Sequence, residues 1–155
     1  MYSDHEYQTT TRLIQLGNIV NWFRNRNLQP FGLTSSQSEA IHFILRHGDE
    51  EITASRLMDE LKLSQSTVAG ILRRLEEKGL IKRTSKDGDA RTSIIRSTEQ
   101  GERLRAQLKR SAIRDERELL SDLSEEEQDA FKTMLKTVLN HMSRIKEEGG
   151  FKNPD

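Results

Sequence analysis

Residues 63–91 read LSQSTVAGILRRLEEKGLIKRTSKDGDAR, and their order constrains the fold more than anything else in the chain. Val68, Ile71, Leu72 and Leu75 recur at the i, i+3, i+4, i+7 spacing that gives a helix one apolar face. The opposite face carries Ser66, Thr67, Gly70, Arg73, Arg74 and Glu77. Ser64 is placed to cap this helix and Gly79 to stop it near Lys78. Leu80–Arg83 and Thr92–Ile95 then read as short strands around KDGD, a hairpin turn. Upstream, Thr53 can cap a short helix to Leu61, and Lys62-Leu63 supply a turn, with Leu57, Leu61 and Leu63 holding the two helices together. Helix, turn, helix, strand, charged tip and strand make a winged helix-turn-helix. The fold class expected is mainly α (α+β).

A helix with this outer face suits the DNA major groove. Small side chains at its start allow close approach, and hydroxyls with free helix N–H groups can bond phosphate or base edges. Arginine can grip guanine O6 and N7 together, or bind phosphate. The plainer alternative is a two-helix hairpin with a solvated basic face. The hairpin that follows favours the DNA reading, because a wing can place an arginine in a flanking minor groove.

The flanking segments read as helices. Leu13, Leu16, Ile19, Val20 and Phe23 form a stripe on a helix from about Tyr7 to Asn27, with Trp22 on the other side, and QPFG breaks it. Thr34 to Gln37 has the capping-box form, and Gly48 is expected to close the helix that follows. Thr98 should cap a fifth helix, Glu99 to about Ser121, with a sparse stripe of Leu104, Leu108, Ala112, Leu119 and Leu123. Ser124–Glu127 is a second capping box. Behind it, Phe131, Met134, Leu135, Val138, Leu139, Met142 and Ile145 give the strongest periodicity in the chain. Residues 1–33 and 98–148 are therefore expected to serve dimerisation, 34–97 DNA binding, and 149–155 to fray. One copy would leave the terminal stripes partly wet, which predicts a homodimer.

Charge supports this division. The 25 Lys plus Arg balance 25 Asp plus Glu overall. Between Lys62 and Arg91, however, Lys62, Arg73, Arg74, Lys78, Lys82, Arg83, Lys86 and Arg91 face only Glu76, Glu77, Asp87 and Asp89. From Asp115 to Glu148 acids predominate. A basic middle and an acidic end give one face fit for phosphate. The absence of cysteine removes disulfides, thiol catalysis, thiolate metal sites and cysteine redox sensing. MYSDHEYQTT has no apolar core of a signal peptide, and no apolar run approaches a membrane span, so a cytoplasmic protein is expected. No Gly-rich phosphate loop, nucleophile elbow or apolar carboxylate pair points to an enzyme, and no catalytic residue or cofactor is expected.

LSQSTVAGILRRLEEKGLIKR, then DGDAR, then STEQG resembles the MarR family of bacterial transcription regulators. The matching elements are Leu63-Ser64-x-Ser66-Thr67-Val68, Leu75-Glu76-x-Lys78-Gly79-Leu80-Ile81, Asp89 and Arg91 of the wing, and Thr98 with Gly101. Helix order extends the resemblance over nearly the whole chain. Ser97 departs from it, standing where the family commonly has Leu, and this would loosen packing under the wing. The resemblance implies a homodimer joined through the terminal helices. It implies binding to a pseudo-palindromic operator on double-stranded DNA, usually as a repressor, with release by a small aromatic or phenolic effector. Carried over by position, Ser66, Thr67, Gly70 and Arg73 would read bases, with Gln65 at the edge and Ser64 at the helix start. Arg91 would enter the minor groove and Lys86 meet phosphate. Asp89 would orient the wing, for example by pairing with Arg74. Trp22, Phe23, Phe31, His42 and Phe43 lie in elements that border the family's effector pocket, although ordinary core packing accounts for them too.

Two alternatives remain. A metal-responsive regulator of the same fold would need clustered His and carboxylates. Of His5, His42, His47 and His141, the pair His42 and His47 do not share a helical face, and Glu99–Ser121 holds no His. No metal ligands are assigned. A dimeric protein-interaction module would use the basic helix on an acidic partner without reading DNA.

Overall fold

The computed structural model describes residues 8–149. Tyr7, His5, the N-terminal stretch read for a signal and positions 150–155 of the predicted tail lie outside the described residues. Helix α1 runs Gln8–Leu28 and passes into a 3-10 turn, Gln29–Phe31, closed by Gly32 at φ 65°. Helices α2 (Ser35–Arg46), α3 (Ala54–Leu61) and α4 (Gln65–Glu77) follow. Strands β1 (Ile81–Lys86) and β2 (Asp89–Ser97) form an antiparallel pair, and α5 (Glu99–Leu119) and α6 (Glu125–Glu147) complete the order. The chain divides into two compact units, 1–115 and 116–155, so the division falls near the end of α5.

Local chemistry accounts for most boundaries. Thr34 and Ser124 form reciprocal capping boxes with Gln37 and Glu127, as their spacing predicts. Thr53 and Ser64 accept the N–H groups of Arg56 and Thr67. Lys62 ends α3 in the left-handed conformation at φ 55°, a position that usually falls to Gly or Asn. Gly48 does not close α2 as expected. His47 is the cap at φ −109°, its N–H on Phe43 O, its carbonyl accepting from Glu50, and its ring 2.9 Å from the Glu50 carboxylate. Those bonds complete the turn without a left-handed residue.

The core of the first unit lies between α2, α3, α4 and the wing. Ile41, Ile44, Ile52, Leu57, Leu75 and Ile95 are almost wholly enclosed, and Leu61 and Leu63 pack against them. The predicted apolar face of α4 is buried throughout: Val68, Ile71, Leu72 and Leu75. Ile52 adds a single bridge to β2, with Ile95 N–H on Ile52 O at 2.8 Å. α1 is anchored by Leu28, buried in the core, and by polar groups. Arg24 pairs with Glu39 of α2, and Asn27 donates to the buried Asp115 of α5 at 2.8 Å. Most of its stripe stays wet, with Leu13, Leu16 and Ile19 exposed, and so does Trp22 on the other side.

In the second unit Leu120 is buried and Leu119 is exposed, reversing the expectation for that end of the fifth helix. The helix stops at Leu119, and the turn carries Leu120 inward. α6 buries none of its described residues. Met134, Leu135, Val138, Leu139 and Met142 are each about half exposed.

The wing is tied to the end of α4 by a close crossing. Thr98 N–H bonds Leu80 O at 3.1 Å, and Thr98 Oγ1 donates to Gly79 O at 2.6 Å. A Cβ on Gly101 would lie 2.4 Å from Leu80 O. Ser97, the departure noted above, donates to Glu102 Oε1 at 2.7 Å. The Gly101→Ala variant should lose about 1–3 kcal/mol, the range for forcing a methyl into packed structure. Thermal melts at fixed protein concentration read this as a lower midpoint, and an unchanged midpoint would show that α5 can slide away from Leu80.

Candidate nucleic-acid interface

The start of α4 presents a hydroxyl cluster. Ser64 Oγ lies 2.8 Å from Thr67 Oγ1 and 3.3 Å from Ser66 Oγ, and it accepts the Thr67 N–H at 3.3 Å. Ser64, Gln65, Ser66 and Thr67 are all exposed. One turn on, Gly70 faces open space, since a Cβ there would meet nothing within 4 Å. Packing therefore does not explain a glycine that costs the helix about 1 kcal/mol relative to Ala. Arg73 and Arg74 continue the strip and are exposed, and both lie beside Glu77, at 4.0 and 3.5 Å.

The wing turns on Asp87 and Gly88. Both have positive φ, 48° and 78°, as a two-residue type I′ hairpin requires. The strands run further toward the tip than the short apolar runs indicated. Pairing is regular from Ile81↔Ser97 to Ser85↔Ser93, and then shifts so that Lys86 faces Asp89. Ala90, Arg91 and Thr92 fall in the shift. Such irregularities re-aim side chains. Asp89 Oδ1 accepts the Arg91 N–H at 2.9 Å, which fixes this backbone. The Asp89–Arg74 pairing expected from the resemblance is replaced by these contacts: Arg74 lies by Glu77 and Asp89 holds the Arg91 backbone. Arg91 is exposed and forms no ion pair among the described residues.

Two further basic groups of the wing, Arg83 and Lys86, are paired. Arg83 gives Glu76 Oε2 two bonds, at 3.0 and 2.6 Å, and these hold the Glu76 carboxyl below its usual pKa. Lys86 Nζ is 2.5 Å from Glu51 Oε2, and that hydrogen bond raises the lysine above its usual value. Neither the Arg83–Glu76 nor the Lys86–Glu51 pairing was expected from the sequence. Glu77 sits one helical turn from Arg73, so its pairing was readable. Glu51 is remote in the chain from Lys86, and no spacing rule reaches it.

Of the five residues near the expected effector pocket, Phe31 alone lines either of the two clefts described. Phe43 is buried, its ring 4.5 Å from that of His47 and under the Arg56 guanidinium. Trp22 is exposed, with Arg26 over its ring. Phe23 and His42 are half-buried. Burial lowers the His42 pKa, and Arg46 adds to the effect. Phe31 lines a cleft of about 480 Å³ with Lys78, Leu80, Gln100, Arg103 and Leu104. A second cleft, about 250 Å³, is walled by Val20, Asn21, Arg24, Ser35, Glu39 and Leu63 among others. None of Trp22, Phe23, His42 and Phe43 lines either. Among the described residues no group of three or more His, Asp or Glu is disposed to hold a metal.

Comparison with known proteins decides the class. The MarR family profile matches residues 31–92. An uncharacterized HTH-type transcriptional regulator of Bacillus subtilis, YdgJ, is 30% identical over 114 residues, covering 74% of this chain and 68% of the relative. The chain belongs to the MarR family. It is a DNA-binding transcriptional regulator, and its relatives are regulators rather than enzymes. The crystal structure of the Staphylococcus aureus MepR–DNA complex superposes with a TM-score of 0.82 at 26% identity, covering 88% of this chain and 99% of that one. CouR of Rhodococcus jostii RHA1, solved with p-coumaroyl-CoA, shares the fold at a TM-score of 0.70 and 23% identity, over 84% of this chain and 88% of that one. Family membership sets aside the protein-interaction module.

Because nothing opposes a methyl at Gly70, Gly70→Ala should stabilise the protein by about 0.5–1 kcal/mol. The denaturation midpoint should rise with the m-value unchanged, and a fall would mean that α4 has a neighbour needing the space.

Proposed function

We propose that this MarR-family protein is a repressor that binds a pseudo-palindromic operator as a homodimer through α4 and the wing. The observation that carries the reading is Arg91. It is exposed, it lies in the register shift of β2, and its backbone is held by Asp89. In the proposed complex Ser66, Thr67, Gly70 and Arg73 face base edges, with Ser64, Gln65 and Arg74 at the margin. Lys86 exchanges Glu51 for a phosphate, and Arg91 enters the minor groove. Residues 34–97 form the DNA lobe, and 1–33 and 98–148 form the dimer.

The homodimer is supported by α6. An exposed stripe of Met134, Leu135, Val138, Leu139 and Met142 needs a partner surface, and a second copy supplies an equal stripe. Two half-sites about one helical turn apart, roughly 34–36 Å, suit such a dimer, and its occupancy would exclude polymerase. A small aromatic or phenolic effector is supported by the aromatic thioester bound to CouR and by the Phe31 cleft, with its cations Lys78 and Arg103. Among the described residues no helix is long and apolar enough to cross a membrane, and the proposed role on an operator supports a cytoplasmic location.

Arg91→Ala should weaken operator binding and reduce the slope of log K against log salt by about 0.9 per subunit, one phosphate's share. Fluorescence anisotropy at several salt concentrations measures both, and an unaltered slope removes Arg91 from the interface. Gly70→Ala should bind the operator less tightly although it is the more stable protein. Replacing Val138 and Leu139 together by Glu should give monomers in sedimentation velocity, whereas a dimer surviving that change would place the interface elsewhere.

A further inference from the structure

Four cations flank the proposed DNA surface, and each is held by a carboxylate of the same lobe. Arg83 is bonded twice to Glu76, Lys86 is bonded to Glu51, and Arg73 and Arg74 both lie against Glu77. Glu51 comes from the segment before α3, Glu76 and Glu77 from the last turn of α4. They reach wing and helix from two directions, so the pairing is not a product of helix periodicity alone. All three carboxylates are at least two-fifths exposed at the side chain. Such pairs are weak and open readily in water, so a phosphate can replace the carboxylate.

The replacement differs between two kinds of DNA. Sequence-independent binding is almost wholly electrostatic. There the displaced carboxylates stay beside the phosphates and repel them, with no base contacts to offset the repulsion. On an operator Glu77 would have a second effect. It lies within 4.0 Å of Arg73 and Arg74, and holding them at the face proposed to read bases would partly compensate its charge.

We infer that Glu51, Glu76 and Glu77 compete with DNA phosphate for Lys86, Arg83, Arg73 and Arg74, and so determine specificity by holding down sequence-independent affinity. This rests on the reading of α4 and the wing as the DNA surface. Lobes without these carboxylates would bind more DNA and distinguish less of it.

The test is the variant Glu51→Gln, Glu76→Gln, Glu77→Gln in the full chain. Two duplexes are used: an operator selected from random-sequence DNA by the wild-type protein, and a scrambled duplex of the same composition. A control variant, Asp122→Asn, Glu125→Gln, Glu126→Gln, removes equal charge from exposed positions elsewhere. Circular-dichroism melts verify folding, and the three single substitutions replace the triple variant where it does not fold. The expected result is scrambled-duplex affinity about tenfold tighter with a steeper salt slope, and a smaller gain on the operator. Equal gains on both duplexes, no gain, or the same gain in the control would overturn the inference. Arg91→Ala, run alongside, separates the two levels. If it leaves both duplexes unaffected, the assignment of the DNA surface is wrong. If it weakens binding while the triple variant behaves as wild type, only the role of the carboxylates fails.

Discussion

The crossing of Gly79-Leu80 with Thr98–Gly101 is the contact on which the lobe depends. Leu80 is held on both backbone groups: its N–H closes the end of α4 on Leu75 O at 3.0 Å, and its carbonyl receives Thr98 N–H at 3.1 Å. The Thr98 hydroxyl serves twice, donating to Gly79 O and accepting from Gly101 N. Gly101 has no side chain at the point where α5 meets the Leu80 carbonyl. Thus the end of the recognition helix, both feet of the wing and the start of α5 are joined within one cluster of backbone bonds. Neither α4 nor the wing can rotate alone without breaking it. If α4 and the wing enter two grooves as proposed, that rigidity matters, because the distance between Arg73 and Arg91 would set which phosphates and bases they can reach together.

On this frame the electrostatics are a balance rather than a simple basic patch. A formal net charge of zero leaves no long-range attraction to DNA from the whole molecule. Attraction must come from local arrangement, and four of the local cations, Arg73, Arg74, Arg83 and Lys86, already have carboxylate partners. Arg91 forms no ion pair among the described residues, and it lies in the register shift. Had β1 and β2 kept their pairing to the turn, Arg91 would have faced a residue of β1 as one member of a cross-strand pair. The shift frees it, and Asp89 pays the backbone cost by taking the N–H that the lost ladder leaves without a partner.

Much of this was readable in the sequence because it is local. The caps at Thr34, Thr53, Ser64 and Ser124, the buried face of α4 and the Asp87-Gly88 turn each follow from a few adjacent residues. The crossing was visible only through the resemblance, which marks Thr98 and Gly101 without stating their contact with Leu80. What escaped was non-local or depended on competing bonds. Ile52 joins β2 through one residue, too short a run to show strand alternation. Glu51 meets Lys86 only because the wing folds back beside the segment before α3. His47 displaced Gly48 as the cap because its own hydrogen bonds to Phe43 and Glu50 closed the turn. Leu120 rather than Leu119 turned inward because α5 ended before the periodicity did.

α6 carries the argument from fold to assembly. It has the strongest apolar periodicity in the chain and buries none of its described residues. A helix of 23 residues with no buried residue is held by its caps, by propensity, by Gln128 donating to the Leu120 and Leu123 carbonyls and by the Lys132–Glu116 pair, all small terms. Covering five large apolar side chains would add stabilisation on the order of 1.5–3 kcal/mol for each that became fully buried. Most of the stability of α6 must therefore come from the surface that covers it. If that surface is a second copy, folding of the terminal helices and pairing of the DNA lobes are one equilibrium, and operator affinity depends on protein concentration below the dimer dissociation constant.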